Sequence, residues 1–277
     1  MPDMPIPTST SYLAATAGFK SGEDSPRDFL ERCIKVIEAR EPTVGAFVTT
    51  NLDGARKAAD ESGARWKSGS TLSAIDGMPV GIKDVMETAD MGTEQGSALF
   101  VGWKGGRDCA AVAALREAGA VIVGKTVTTE FAATHPGGTR NPWDLERTPG
   151  GSSSGSAASV ASGMLPAALG TQVIGSILRP ASYCGCFGYK PSVGGINRGG
   201  SFDGFSQSSS GVLAATLGEA WSVGREISAR AGGDAGYVGI TGPLAAPPAN
   251  KPRRVAFLET AGWEKANDES KQALMAA

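Results

Sequence analysis

Between Gly150 and Ser176 the chain reads GGSSSGSAASVASGMLPAALGTQVIGS, a run in which nearly every side chain is small. Glycine loses more backbone freedom on folding than any other residue, so glycines gathered this densely mark turns and close backbone approaches. Ser152 opens the Gly/Ser loop and Ser176 closes a second glycine turn further on. The whole chain holds one histidine, His135. A hydroxyl activated in this run therefore needs another base, and Lys83 in Gly81-Ile82-Lys83-Asp84 is the candidate. Serine must lose its proton as it attacks, and a neutral lysine amine can take it if burial lowers the lysine pKa. Taken alone, Lys83 reads as a surface lysine paired with Asp84, and residues 150–155 as a flexible linker; only the set of motifs together overturns these readings.

The 277 residues are enough to bury a core, and 41% apolar with 19% charged residues is ordinary for a globular protein. A formal charge of −2 gives no basic footprint, which argues against nucleic acid and anionic membranes as partners. Cys33, Cys109, Cys184 and Cys186 are too few and too scattered for a disulfide framework. Cys184-Gly-Cys186 lacks the two-residue gap of zinc and thioredoxin pairs, so reduced structural thiols and no metal or cofactor are expected. The first dozen residues lack a signal pattern and no apolar run reaches spanning length, so the cytoplasm is the default location.

Residues 8–68 read as amphipathic helix, with Ser25-Pro26 starting a helix through Phe29, Leu30, Ile34 and Ile37. A short apolar strand is expected over 77–83. Asp108 caps a helix over 110–118, ended by Gly119, and a strand over 120–123 follows. Residues 133–152 read as loop, 154–162 as a small-residue helix, 165–169 as a buried strand and 216–229 as a helix. A Gly/Pro-rich connection over 232–250 precedes a strand at 254–258 and a helix over 268–277. This alternation predicts an α/β fold, with an N-terminal helical segment (1–70) packed on an α/β core (71–277).

Two motif matches and one absence narrow the chemistry. Gly119-Ala-Val-Ile-Val-Gly124-Lys125-Thr126 fits the phosphate-loop pattern, but that loop needs a strand before it and a helix after. Here a helix precedes Gly119 and the intervening residues are themselves a strand. Gly151-Ser152-Ser153-Ser154-Gly155 contains the esterase elbow G-x-S-x-G, which requires a histidine later in the chain. His135 lies before it, and reads as a loop residue. No lysine has a serine three residues before it, so the S-x-x-K signature is missing too.

The set DGMPVGIKD, DCAAVAALREAGAVIVGKT, TEFA, NPWD, RTPGGSSSGSAASVASGMLPAALGTQ, GSILRPASYCG and GYKPS, from about Asp76 to Ser192, resembles the amidase signature family. The resemblance implies a mixed β-sheet covered by helices on both faces, and a relay in which Lys83 is the base, Ser152 the bridging serine held by a cis peptide bond and Ser176 the nucleophile. Ser152 would pass the proton from Ser176 to Lys83 and then to the leaving amine. The oxyanion would face backbone N–H groups of Val173, Ile174, Gly175 and Ser176. In such a relay the lysine amine and the two hydroxyls form a hydrogen-bonded chain with spacings of about 2.6–3.2 Å, looser without substrate.

The family's nucleophile turn usually reads Gly-Gly-Ser after a polar residue, whereas this chain has Val173-Ile174-Gly175. Ile174 either narrows the pocket or, if glycine serves a special backbone angle there, misaims the oxyanion donors. Ser206-Gln-Ser208 replaces the usual Ser-x-Asp, and Ala214-Ala215-Thr216 lacks the usual following arginine. Family members are also substantially longer, so the chain reads as lacking their C-terminal part, with an exposed edge that favours a homodimer or instability.

The leading expectation is an amidase, hydrolysing C–N bonds other than peptide bonds in a small or aryl amide or carbamate (urethane), with esters sharing the chemistry. The alternatives are a glutaminase subunit of a tRNA-dependent amidotransferase, which needs partner chains, and a non-catalytic fragment of the same fold. Ile174, Tyr183 and Phe131 suggest an uncharged pocket, and Ser153 is a further substrate-binding candidate. Arg179 reads either as an anchor for a substrate carboxylate or as a structural residue bonding backbone near the nucleophile turn.

Overall fold

The computed structural model describes residues 7–202 and 205–276, which fall into two compact units dividing after Ala246. The N-terminal stretch read for a leader lies partly outside the described residues, as does residue 277, the last of the helix expected over 268–277. In the first unit, β1 (Phe47–Thr50), β2 (Pro79–Lys83), β3 (Val121–Thr126), β4 (Ala167–Gln172), β5 (Phe187–Tyr189) and β6 (Ser209–Ala214) form one sheet in the order β1-β3-β2-β4-β6-β5. The sheet is mixed. β2 runs parallel to both β3 and β4, and the remaining pairs are antiparallel.

Side chains alternate between two cores because successive residues of a strand point to opposite faces. Val80, Ile82, Ile122, Leu169 and Val212 join one core, while Val121, Val123, Ala168 and Leu213 join the other. α4 (Ala110–Glu117) and α7 (Leu217–Ala231) supply Leu115, Val223 and Ile227 to the first. α5 (Ser154–Ala161) and α2 (Pro26–Val44) supply Val160, Leu30 and Ile34 to the second. With both faces covered, every residue of β2 and β4 is buried, which is why these strands read as continuous apolar or small runs. The remaining helices of this unit are α1 (Tyr12–Ser21), α3 (Leu52–Ser68) and α6 (Leu178–Cys184). The second unit holds α8 (Ala261–Lys265) and α9 (Asp268–Ala276). Among the described residues no helix is long and apolar enough to cross a membrane.

Local signals hold where they have a partner to act on. Ser25 caps α2 by accepting a hydrogen bond from Asp28 N, with Pro26 in the first turn. Three expectations need correction. Residues 47–50, read as part of a helical stretch, form the edge strand β1, because the region after Gly45 pairs antiparallel with β3. Asp108 does not cap α4. Cys109 occupies that position without a side-chain bond, and Asp108 instead accepts from Ala89 N at 2.8 Å and pairs with Arg116 at 2.9 Å. No strand forms at 254–258; an apolar alternating run becomes a strand only where another strand completes its ladder.

One long-range contact ties the ends of the first unit together. The buried Glu219 carboxylate accepts from Ser11 Oγ (2.9 Å), Tyr12 N (2.5 Å) and Leu13 N (3.2 Å) at the start of α1. Its other oxygen accepts from Thr216 Oγ1 at 3.0 Å, and that hydroxyl caps α7 by accepting from Glu219 N at 3.2 Å. Burial pushes this carboxyl above its ordinary range, opposed by those hydrogen bonds. Glu219→Ala leaves the α1 amides unsatisfied at a buried site, so a loss of about 2–4 kcal/mol is expected. Circular dichroism melting would check it; an unchanged melting temperature would show that Glu219 does not hold α1.

Candidate functional site

The parallel strands β2 and β4 end side by side, and the site is built at those ends, where α/β sheets place their ligands. Lys83 is the last residue of β2 and is completely buried. Its Nζ donates to Ser152 Oγ at 2.7 Å and to Thr171 Oγ1 at 2.8 Å. Ser152 is 2% exposed, and its peptide bond to Gly151 is cis. Asp84 faces Lys125 at 3.2 Å, both side chains fully buried. Burial pushes the Asp84 carboxyl up and the Lys125 amine down, each countered by the other's charge. Lys125 also donates to Met86 O, Gly92 O and Thr93 Oγ1 at 2.7–2.9 Å. The phosphate-loop lysine is thus consumed inside the core, and Gly119 (φ +85°) makes the turn from α4 into β3.

Ser176 follows β4 and is half-buried. Its carbonyl accepts from Ser153 N at 3.2 Å, a backbone link between its turn and the serine loop. The Lys83–Ser152 link of the expected chain is formed; among the described residues no hydrogen bond joins the Ser152 and Ser176 hydroxyls. Gln172, the last residue of β4 and itself buried, holds the turn. Its Oε1 accepts from Ile177 N at 2.8 Å and Leu178 N at 2.9 Å, satisfying amides at the start of α6. Ile174 projects into solvent with 87% of its surface exposed. Its backbone keeps out of the left-handed region, which among described non-glycine residues is occupied by Gln95, Phe131 and Ala132. Isoleucine therefore imposes no angular strain here.

The other sequence candidates separate. Arg179 and Tyr183, with Thr129, Gly150 and Gly151, line a cleft of about 300 Å³ beside Ser152. Arg179 is exposed, and its guanidinium lies against Gly175 rather than bonding backbone. Ser153 is fully buried, its hydroxyl donating to Thr171 O at 3.3 Å. Phe131 is 39% exposed, adopts φ 51°, and packs edge-on against Phe100. Its N–H donates to the carbonyl of Gln95 at 2.8 Å, so two left-handed residues lock together next to the serine loop. The NPWD motif acts as a latch: Asn141 Nδ2 donates to Thr148 O and Tyr183 O, and Trp143 Nε1 to Cys184 O. His135 is an exposed loop residue whose carbonyl accepts from Glu130 N. Burial pushes the thiols of Cys33 and Cys186 up to about 12 and that of Cys109 to about 11, as expected of unreactive packing residues. A larger cavity of about 360 Å³ beside β1, lined by Asn51, Asp90, Glu94 and Lys104, contains none of the relay candidates.

Thr171 and Gln172 escape sequence reasoning. The expected strand stops at residue 169, whereas β4 runs to Gln172. The available signal is a polar pair continuing a buried run, immediately before the glycine turn.

A profile of the amidase family matches residues 28–277. A glutamyl-tRNA(Gln) amidotransferase subunit of Anaeromyxobacter sp. (strain K) is 43% identical over 194 residues, covering 67% of this chain and 39% of that protein. Native peptide amidase from Stenotrophomonas maltophilia superposes with a TM-score of 0.74 at 33% identity, over 79% of this chain and 48% of that one. The corresponding glutamyl-tRNA(Gln) amidotransferase subunit of Thermotoga maritima gives 0.59 at 34% identity, over 72% of this chain and 42% of that one. The chain spans about two fifths of the length of the curated relatives it matches.

The loop's position depends on Gly155 in the first turn of α5. A Cβ there would lie 2.2 Å from Ala46 O and 2.4 Å from Val127 N, both backbone atoms. Gly155→Ala must push α5 off the backbone just before β1 and just after β3, at a cost of about 1–3 kcal/mol or more. Chemical denaturation would read the loss, and a variant as stable as the parent would show that this approach is not needed.

Proposed function

The chain belongs to the amidase family, and from that premise we propose that it hydrolyses a C–N acyl bond through Lys83, Ser152 and Ser176. Ser176 Oγ attacks the acyl carbon while Ser152 takes its proton and passes its own to the neutral Lys83 amine. The tetrahedral oxyanion is met by backbone N–H groups of the turn formed by Val173, Ile174, Gly175 and Ser176. Collapse breaks the C–N bond, and the proton returns from Lys83 through Ser152 to the leaving nitrogen. Water then attacks the acyl-enzyme by the same path, releasing the acid and restoring Ser176.

The observation that carries this reading is the 2.7 Å contact between a fully buried lysine amine and the Ser152 hydroxyl. A rotation of the half-buried Ser176 side chain on substrate binding supplies the second link, since catalytic hydrogen bonds commonly tighten only in the complex. Substrates in this reading are small or aryl amides and carbamates, with Arg179 and Tyr183 at the cleft. An exposed guanidinium there favours a substrate carrying a carboxylate or another acceptor group.

A second reading, the glutaminase component of an amidotransferase, draws support from the 43% identity to a protein named as an amidotransferase subunit. It requires a turn suited to glutamine and partner chains, and the apolar Val173-Ile174 pair weighs against it.

Fluorophosphonate labelling tests the relay. Wild-type protein should label, Ser176→Ala should not, and Lys83→Ala should slow labelling by about 10²–10⁴-fold. Undiminished labelling of Ser176→Ala would remove Ser176 as nucleophile, and an unreactive wild type would favour a non-catalytic fold.

A further inference from the structure

We infer that Thr171 is a positioning residue for the base, holding the Lys83 amine in the rotation from which it exchanges a proton with Ser152; the inference rests on the relay proposed above. A neutral amine has one lone pair and two N–H bonds, and only the lone pair can accept the Ser152 proton. The two hydroxyl oxygens beside Nζ lie at nearly equal distances, 2.7 Å for Ser152 and 2.8 Å for Thr171. When Lys83 is neutral, one N–H donates to Thr171 Oγ1 while the lone pair faces the Ser152 hydroxyl. When Lys83 is protonated, the same N–H still donates to Thr171 and the new one donates to Ser152. Thr171 accepts in both states, so the amine need not turn as the proton moves in either direction. It takes no proton itself.

The surrounding structure fixes Thr171 for this task. Its side chain is 1% exposed. Its backbone is clasped by Ser153, the neighbour of the bridging serine, whose hydroxyl donates to Thr171 O at 3.3 Å and accepts from Thr171 N at 3.4 Å. The strand holds it in register with Ser210 of β6. The next residue along the strand, Gln172, anchors the turn that carries Ser176. Two consecutive residues of β4 therefore set the base and the nucleophile against one another, and buried Ser153 works between them.

Two variants separate a hydrogen-bonding role from a packing role. Thr171→Val preserves shape and removes the acceptor; Thr171→Ser preserves the hydroxyl and removes a methyl group. If the acceptor matters, Thr171→Val should slow fluorophosphonate labelling by about tenfold or more, a fraction of what a positioned proton-transfer group contributes. Thr171→Ser should stay within about threefold of wild type on the same scale. If Thr171 only fills space, valine will equal or outperform serine, and that ordering overturns the inference. Labelling rates are compared per folded molecule, judged by circular dichroism, so that a poorly folding variant does not imitate the effect. Failure of the relay itself reads differently: wild type unreactive, or Ser176→Ala still labelled.

Discussion

A lysine amine shut away from water must find its hydrogen-bond acceptors inside the protein, and the Lys83 amine sits on that constraint at the end of β2. Burying a polar group without partners costs several kcal/mol, by about 2–7 depending on reference. Ser152 and Thr171 therefore have to arrive at Nζ from two different segments of chain. The parallel pairing of β2 with β4 brings Thr171 there. The serine loop ahead of α5 brings Ser152, and Gly155 lets α5 lie close against the backbone at Ala46 and Val127, next to the ends of β1 and β3. The small residues of 150–176 are the condition for that approach.

The neighbouring lysine shows the same constraint resolved toward structure. Lys125 is as buried as Lys83, but it meets a carboxylate, two carbonyls and a hydroxyl. A charged partner and three acceptors hold a cation in place. Lys83 meets two hydroxyls, those of Ser152 and Thr171, groups that can give and take protons. The acidic residue next to Lys83 in sequence pairs with the other lysine.

Much of this is legible in the chain. Lys83, Ser152 and Ser176 are picked out together by the resemblance to the amidase signature family, while the shortage of histidine excludes the esterase elbow; the structure gathers Lys83 with Ser152 and links Ser176 to the serine loop by backbone. Element order excludes the phosphate-loop likeness, and β3 occupies its centre. The features that cannot be read are those set by partners distant in sequence. β1 is a strand because β3 lies beside it, and 254–258 is not one because no ladder completes it. Asp108 has the residue type of a cap but is drawn to Ala89 and Arg116. Ser153, an expected substrate contact, turns inward, its hydroxyl bonding the backbone of Thr171. Thr171 and Gln172 carry no motif of their own; their meaning comes from standing at the end of β4.

The turn that carries Ser176 answers to backbone constraints of the same kind. An oxyanion site made of backbone N–H groups depends on backbone angles and on what anchors the turn, and only secondarily on the side chains it carries. Here Gln172 and the Ser153–Ser176 link anchor it from within. Ile174 adopts an ordinary backbone conformation and sends its side chain outward. The departure from the family's glycine-rich turn therefore leaves the backbone unstrained and changes the surface presented to an approaching molecule. The isoleucine side chain stands on the same turn as Ser176, and in the proposed reaction an added apolar contact there bears on which acyl group reaches that serine.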